Sequence, residues 1–279
     1  MIKEIKLQVE NSEFNFIADE RKERKFPILF LHGFTGAAED WLPLFDKLPE
    51  TVYPIALDLP GHGKSLDLDE KFYDLENLDL IINKFLEEFS IKKILLVGYS
   101  MGGRAAYRYA VNFPEKTTGL IIESSTPGLS EKEFRETRLQ SDIDLSREIM
   151  EKGIERFIDF WFSQPIFESL KNLDDRYYAQ IKKIRKRNNP IELAKALRGG
   201  SQGKVRHVWD KLSKIDFPLL LIDGEMDKKY RFLNTLVLKE VPTAERVTVK
   251  NAGHNIHLEK PEEFIILVNL FIDKVLKGN

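Results

Sequence analysis

Polar and apolar residues alternate from Ile2 to Val9 and again from Phe14 to Ile17, separated by Glu10-Asn11-Ser12. A period of two puts one face of each segment on a core, which predicts an antiparallel hairpin turning at Glu10-Asn11-Ser12. The pattern then changes to short unbroken apolar runs: Ile28–Leu31, Val52–Leu57, Ile94–Val97, Leu120–Ile122 and Phe217–Ile222. Such runs predict strands covered on both faces of a mostly parallel sheet. Helix-length segments, among them Leu75–Phe89 and Ala105–Phe113, lie between them, and a last strand, Arg246–Val249, precedes a closing helix from Pro261. Strand and helix alternate, so the class is α/β.

One stretch breaks the alternation. Residues 130–200 read as helical throughout, are rich in charge, and carry Arg135, Arg138, Arg147, Arg156, Trp161, Phe162, Tyr177, Tyr178 and Arg185. We expect a helical cap here, inserted after the sixth strand into a core made of residues 1–129 and 201–279.

Composition narrows the function classes. The 279 residues are 42% hydrophobic with 19 Phe and 8 Tyr, enough for a substantial core. Lys and Arg number 43 against 45 Asp and Glu, a net charge of -2 that gives no general attraction to nucleic acid or anionic membrane. Cysteine is absent, which removes disulfides, thiolate nucleophiles and thiolate metal sites. The charged, alternating start MIKEIKLQVENSEFNF is unlike a signal peptide, and no run approaches the roughly 18 apolar residues that span a bilayer. A soluble, cytoplasmic monomer is expected.

The chemistry centres on Gly98-Tyr99-Ser100-Met101-Gly102, which follows the apolar run Ile94–Val97 and precedes a helical segment. G-x-S-x-G between a strand and a helix is a nucleophile elbow. The sharp turn strains the serine backbone, the glycines let neighbouring chain pass close by, and the hydroxyl stands beside a helix N-terminus whose N–H groups hold negative charge. A serine hydroxyl needs a base. Of five histidines, His254 in Asn251-Ala252-Gly253-His254-Asn255 follows the last strand, in a loop that reaches the serine's end of the sheet; His257 is read as a supporting residue. The acid should follow the strand ending at Ile222, where Asp223, Glu225 and Asp227 compete. Asp223 caps the strand and Glu225 has a longer arm, so Asp227 is favoured. The chain order Ser, Asp, His is that of the α/β-hydrolase fold.

His32-Gly33-Phe34 after the third strand supplies the second oxyanion donor, the backbone N–H of Phe34, paired with that of Met101. His32 and His62, the latter in the turn Asp58–Ser65, are read as loop organisers. A metal site is not expected: His254 and His257 lack H-E-x-x-H spacing. Neither Gly98–Gly103 nor Gly61–Ser65 has the spacing of a phosphate loop. Arg104, one helical turn past Ser100, faces the site, where a guanidinium suits a substrate carboxylate by planar bidentate pairing.

Three segments carry a resemblance: Leu96-Val97-Gly98-Tyr99-Ser100-Met101-Gly102-Gly103-Arg104, Glu123-Ser124-Ser125-Thr126-Pro127-Gly128-Leu129, and Ala252-Gly253-His254-Asn255-Ile256-His257-Leu258-Glu259. Together they resemble the 2-succinyl-6-hydroxy-2,4-cyclohexadiene-1-carboxylate synthase family of menaquinone biosynthesis, from about Ile28 to the C-terminus. The resemblance implies a lyase that works without a cofactor. It eliminates pyruvate from 2-succinyl-5-enolpyruvyl-6-hydroxy-3-cyclohexene-1-carboxylate by a 1,4-elimination, after proton abstraction next to a carboxylate. It makes Ser100 the activated base, His254 its proton acceptor and Asp227 the orienter. The Phe34 and Met101 N–H groups would hold charge building on the substrate carboxylate. It also implies substrate contacts from Tyr99, Arg104, Arg138, Trp161 and Arg185. Two departures are Ser124-Ser125-Thr126, for a more glycine- and histidine-containing version, and Pro190, where a less rigid residue is expected. Two other functions fit the motifs: a serine hydrolase of esters or carbon–carbon bonds, and a non-catalytic binder of a carboxylated ligand, which an intact triad argues against.

Overall fold

The computed structural model describes residues 1–23 and 25–278. Its first two strands, β1 (Ile2–Val9) and β2 (Ser12–Asp19), form the hairpin. The turn is tighter than the alternation implied: Ser12 pairs with Val9, leaving Glu10 and Asn11 at the corner with Glu10 at φ 54°. Ser12 is held in the strand because its hydroxyl accepts the Asp69 N–H at 2.8 Å.

β3 (Phe26–Leu31), β4 (Val52–Leu57), β5 (Ile94–Tyr99), β6 (Thr117–Glu123), β7 (Leu219–Gly224) and β8 (Glu245–Val249) complete one eight-stranded sheet in the order β1-β2-β4-β3-β5-β6-β7-β8. β3 through β8 pair in parallel, and β2 joins β4 antiparallel. The chain steps outward from β3 to β4, past α1 (Leu42–Phe45), then crosses back over β3 to β5 through α2 (Leu78–Glu88). That reversal sets the C-terminal ends of β3 and β5 side by side, Leu31 level with Gly98, the usual place for a site in an open α/β sheet.

Both faces are covered. On one, α2 buries Leu78, Ile81, Ile82, Phe85 and Leu86, the i, i+3, i+4 spacing of an amphipathic helix. Its apolar pattern starts at Leu75, but Leu75–Asn77 is a 3-10 turn whose Glu76 N–H is capped by Asp74. α3 (Met101–Asn112) packs on the same side. It begins directly after the nucleophile, four residues earlier than the apolar pattern indicated. Gly102 and Gly103 masked this start, and both are there for contact. A Cβ on Gly102 would lie 2.2 Å from the Leu31 carbonyl oxygen, and one on Gly103 2.4 Å from Ser125 Cβ. On the other face Trp41, Phe30, Phe45 and Phe264 form a second core.

Between β6 and β7 the chain is helical, without a strand. α4 (Lys132–Trp161) breaks at Gly153, whose φ of 78° and ψ of 164° are not helical. A 3-10 stretch, Pro165–Asn172, then α5 (Asp175–Arg185) and α6 (Pro190–Gly199) follow. They enclose their own apolar cluster, including Ile149, Phe157, Phe162, Leu170, Ile181 and Leu193. Pro190 occupies the first position of α6, where its missing N–H costs nothing, and Asn189 caps the Ile191 and Glu192 N–H groups. The insertion's two ends are tied together: Val208 N–H donates to Pro127 O at 2.9 Å and Trp209 Nε1–H to Gly128 O at 2.8 Å. The chain closes with α7 (Lys228–Glu240), a single turn α8 (Ile256–Glu259) and α9 (Pro261–Gly278). Among the described residues no helix is long and apolar enough to cross a membrane.

Candidate active site

Ser100 sits between β5 and α3 at φ 49°, ψ −107°, a conformation L-residues avoid unless their surroundings impose it. Those surroundings are specific. Ser100 N–H donates to Glu123 O at 3.0 Å, and Ser125 Oγ–H donates to Ser100 O at 2.6 Å. Gly98 leaves no room for a Cβ, which would lie 2.6 Å from both the Gly102 oxygen and Gly103 Cα. Ser125 belongs to the Ser124-Ser125-Thr126 departure, so in this chain that segment buttresses the elbow.

His254 Nε2 lies 3.1 Å from Ser100 Oγ, and His254 Nδ1 lies 2.7 Å from Asp227 Oδ2. With Nδ1–H donating to the carboxylate, Nε2 is free to accept the serine proton. His254 and Asp227 are both buried. Asp227 is the N-cap of α7, and its other oxygen accepts the Tyr230 N–H at 3.2 Å. The competing acids are engaged elsewhere. Asp223 accepts from Arg246, Asn234 and Thr248, and Glu225 accepts the Asn251 N–H at 3.0 Å. The histidine loop is gathered by Glu259, which accepts from Gly253 N–H, Asn255 N–H and the Ser169 hydroxyl of the insertion. Burial pushes the Glu259 carboxyl above its ordinary range, more than these donors lower it.

The other histidines do not face the serine. His257 pairs through Nδ1 with the buried Glu123 carboxylate at 2.8 Å. His32 accepts the Leu59 N–H through Nε2 at 2.9 Å and faces Gly33 O through Nδ1 at 2.7 Å. His62 accepts the Thr35 N–H through Nε2 at 3.3 Å and faces Pro60 O through Nδ1 at 3.0 Å. The His32 and His62 rings each therefore need one donor and one acceptor nitrogen, the neutral form. Burial, the dominant cause for both, lowers His32 to about 4 and His62 to about 3. They organise the loops after β3 and β4.

A cavity of about 370 Å³ opens over Ser100 and His254, between the sheet's edge and the insertion. Phe34, Trp161, Phe167 and Leu197 give it apolar walls; the ring of Trp161 meets Phe34 edge-on at 5.3 Å. Met101, also on the wall, is the first residue of α3, so its N–H has no acceptor within the helix.

The three arginines differ. Arg104 lines the cavity and is buried; Nη2 donates to Gly200 O at 2.8 Å, while Nε is buried without a partner. It has no carboxylate partner among the described residues, and burial lowers its pKa to about 10. Arg138 also lines the cavity, but its Nε is 2.9 Å from both oxygens of Asp142, one helical turn away. Arg185 is not brought to the cavity. Its Nη1 donates to Asp40 Oδ1 at 2.6 Å in a pair that is nearly sequestered from solvent. Tyr99 is likewise off the cavity wall, behind the histidine: its hydroxyl donates to Asn255 Oδ1 and its ring lies 5.3 Å from that of His254, tilted by 57°.

Among the wall residues that the sequence did not single out, two closely follow Asp227. The Tyr230 ring lies 4.8 Å from that of His254, and Lys229 lines the cavity with its ammonium 5.3 Å from the Tyr230 ring. Both occupy the first turn of the helix that Asp227 caps, the one signal that could have marked them.

An eight-stranded, mostly parallel sheet with a serine elbow after β5, an acid after β7 and a histidine after β8 defines the α/β-hydrolase family, whose model matches residues 28–266. The 2-succinyl-6-hydroxy-2,4-cyclohexadiene-1-carboxylate synthase of Enterobacter sp. (strain 638) is 34% identical over 239 residues, 85% of this chain and 88% of its own. A Bacillus subtilis (strain 168) relative whose name carries the same activity is 35% identical over 260 residues, covering 93% of this chain and 94% of its own. The structure of MenH from S. aureus superposes with a TM-score of 0.88 at 30% identity, covering 94% of this chain and 98% of that one. The chain belongs to the 2-succinyl-6-hydroxy-2,4-cyclohexadiene-1-carboxylate synthase family.

Proposed function

We propose that the protein is a carbon–oxygen lyase that converts 2-succinyl-5-enolpyruvyl-6-hydroxy-3-cyclohexene-1-carboxylate to 2-succinyl-6-hydroxy-2,4-cyclohexadiene-1-carboxylate and pyruvate. One observation carries this choice over ester hydrolysis. The buried guanidinium of Arg104 faces the cavity one turn from Ser100 with a carbonyl and, among the described residues, no carboxylate for company. Keeping a desolvated cation unpaired is costly, and a substrate carboxylate relieves that cost. Lys229 adds positive charge to the same wall, where Arg138 is answered by Asp142. Relatives that bear this activity in their names support the same reading.

The bond changes fix the roles. A 2,4-diene forms only if the proton leaves ring carbon 2, the 3,4 double bond moves to 4,5, and the carbon 5–oxygen bond breaks. Ser100 Oγ, its own proton drawn to His254 Nε2, takes the carbon 2 proton, and Asp227 balances the imidazolium. Carbon 2 bears the succinyl carbonyl, so the oxyanion develops on that ketone oxygen. This corrects the expectation of charge on a carboxylate: an acyl carbonyl next to the breaking C–H bond takes up the charge directly. The N–H groups of Phe34 and Met101 are assigned to hold it. Pyruvate departs as its enolate; the proton held on His254 neutralises it, protonation at the methylene carbon gives pyruvate, and the triad returns to its starting state with Ser100 reprotonated by the carbon 2 proton. The step balances with no external oxidant, reductant or cofactor. Trp161 and Phe34 wall the ring from water, and Tyr99 orients His254 from behind.

The test compares two substrates on one enzyme preparation: the enolpyruvyl intermediate and a short, neutral nitrophenyl ester. We expect kcat/KM for the intermediate to exceed that for the ester by orders of magnitude. The reverse ratio would make the protein a hydrolase.

A further inference from the structure

The loop His32–Ala37 carries Phe34, one of the two assigned oxyanion donors, and it is gripped by a single corner of the helical insertion. Gly36 N–H closes a turn on Gly33 O at 3.0 Å, with Thr35 at φ 70°. The Asp40 carboxylate sits under this turn: Oδ2 accepts the Ala37 N–H at 3.1 Å. It packs so closely that a Cβ on Gly36 would lie 2.7 Å from Oδ2 and 3.0 Å from His32 Nδ1. Its other oxygen accepts from Arg185 Nη1 at 2.6 Å, and three residues later Asn188 Nδ2–H donates to Thr35 O at 2.9 Å. Arg185 is the last residue of α5 and Asn188 lies in the turn before α6, both in the insertion. Two side chains of one corner thus reach both sides of the donor's turn, one directly and one through a carboxylate.

We propose that Arg185 and Asn188 are positioning residues: through Asp40 and Thr35 they fix the oxyanion loop, so that the insertion sets the geometry of the Phe34 N–H. Arg185 acts on charge developing in the reaction without touching substrate. Burial alone would raise the Asp40 carboxyl, but the Arg185 guanidinium, by its charge and its hydrogen bond, holds it below the ordinary range, so the bridge is ionised at neutral pH. The pair is confined between the loop and the insertion, and its surroundings, Thr35, Gly36, Ala37, Arg187 and Asn188, form a cleft separate from the cavity over Ser100.

This inference rests on the oxyanion role of Phe34, and one arm of its test does not depend on the lyase reaction. Two quantities are measured for wild type, Arg185→Gln, Asp40→Asn, Asn188→Ala and the Arg185→Gln/Asp40→Asn double variant. One is kcat and KM for pyruvate release. The other is the second-order rate at which a fluorophosphonate labels Ser100, a reaction that also builds an oxyanion. We expect kcat and the labelling rate to fall together, about 10- to 100-fold, with KM within threefold of wild type. The double variant should be no worse than either single one. Arg185→Lys should recover part of both rates. A KM rise above tenfold with an unchanged labelling rate in Arg185→Gln would place Arg185 on the substrate and overturn the proposal. So would unchanged rates with only a lowered Tm, which would make the bridge purely structural. If wild type releases no pyruvate while labelling still follows this pattern, the lyase reading fails and the positioning role stands. Should Asp40→Asn not fold, Asn188→Ala and Arg185→Lys carry the same comparison.

Discussion

The Arg104 guanidinium reaches the carbonyl oxygen of Gly200 across 2.8 Å and holds its Nε buried with no partner, one helical turn beyond the nucleophile. A cation in this state is prepared for a ligand. Arg104→Gln should therefore reduce kcat/KM for the polycarboxylate by about 2–5 kcal/mol, the cost of breaking a buried charge pair. A neutral nitrophenyl ester should lose little. Arg104→Lys should rescue only in part, since an ammonium lacks the planar fork. Arg138→Gln should cost less than Arg104→Gln, because Asp142 already answers its charge at 2.9 Å. Steady-state kinetics on both substrates check this, and equal losses on the two would give the arginines a structural role.

Ser100, His254 and Asp227 form one hydrogen-bonded line, so their substitutions should not add. Ser100→Ala and His254→Ala should each lower kcat by several orders of magnitude, with the double variant little worse than either. Asp227→Asn should cost about 10⁴-fold by leaving His254 in the wrong tautomer. Single-turnover rates, with circular dichroism to verify folding, decide the matter; near wild-type turnover in Ser100→Ala would remove the serine from the mechanism.

Asp223 answers Arg246, Asn234 and Thr248 in a buried site, away from the serine. Asp223→Asn should lower stability by about 3–5 kcal/mol, as when one partner of a buried ion pair is removed. Activity per folded molecule should stay close to wild type. Urea unfolding and active-site titration separate the two quantities; lost activity in fully folded protein would reopen the choice of acid.

His32 and His62 are held neutral, at about 4 and about 3 against an ordinary 6.5. The unfolded chain binds protons that the folded chain refuses. Their contribution to stability is therefore complete above pH 6.5 and is lost as pH falls toward 4 and then 3. For His32 the difference is on the order of 3 kcal/mol. The urea midpoint should drop between pH 6.5 and pH 4.5, and His62→Gln should flatten that slope by about one proton. A slope unchanged in His62→Gln would show that the ring protonates freely in the folded state.

How much of this was legible in the sequence depends on how far apart partners lie. The elbow at Ser100, the strand order of motifs and the loop holding His254 are local patterns, and each fell where the spacing put it. Ser12 and Met101 joined their elements earlier than hydrophobic period suggested, because a hydroxyl contact and glycine packing, rather than apolar spacing, decide those boundaries. The Arg138–Asp142 pair follows the i, i+4 spacing, but the insertion offers several acidic partners and spacing alone does not choose among them. The partner of Arg185 is Asp40, 145 residues away, and no spacing rule connects them. Tyr99 follows the same logic: it adjoins the nucleophile in sequence, yet strand alternation turns it behind His254.

The central claim is pyruvate elimination by the serine triad, and the most direct measurement is product stoichiometry. Enzyme incubated with 2-succinyl-5-enolpyruvyl-6-hydroxy-3-cyclohexene-1-carboxylate should release one pyruvate, read by a coupled dehydrogenase, for each cyclohexadiene formed. Ser100→Ala under the same conditions should fall to the spontaneous rate. Pyruvate at no more than the spontaneous rate with wild-type enzyme, alongside brisk hydrolysis of a neutral ester, would contradict the claim.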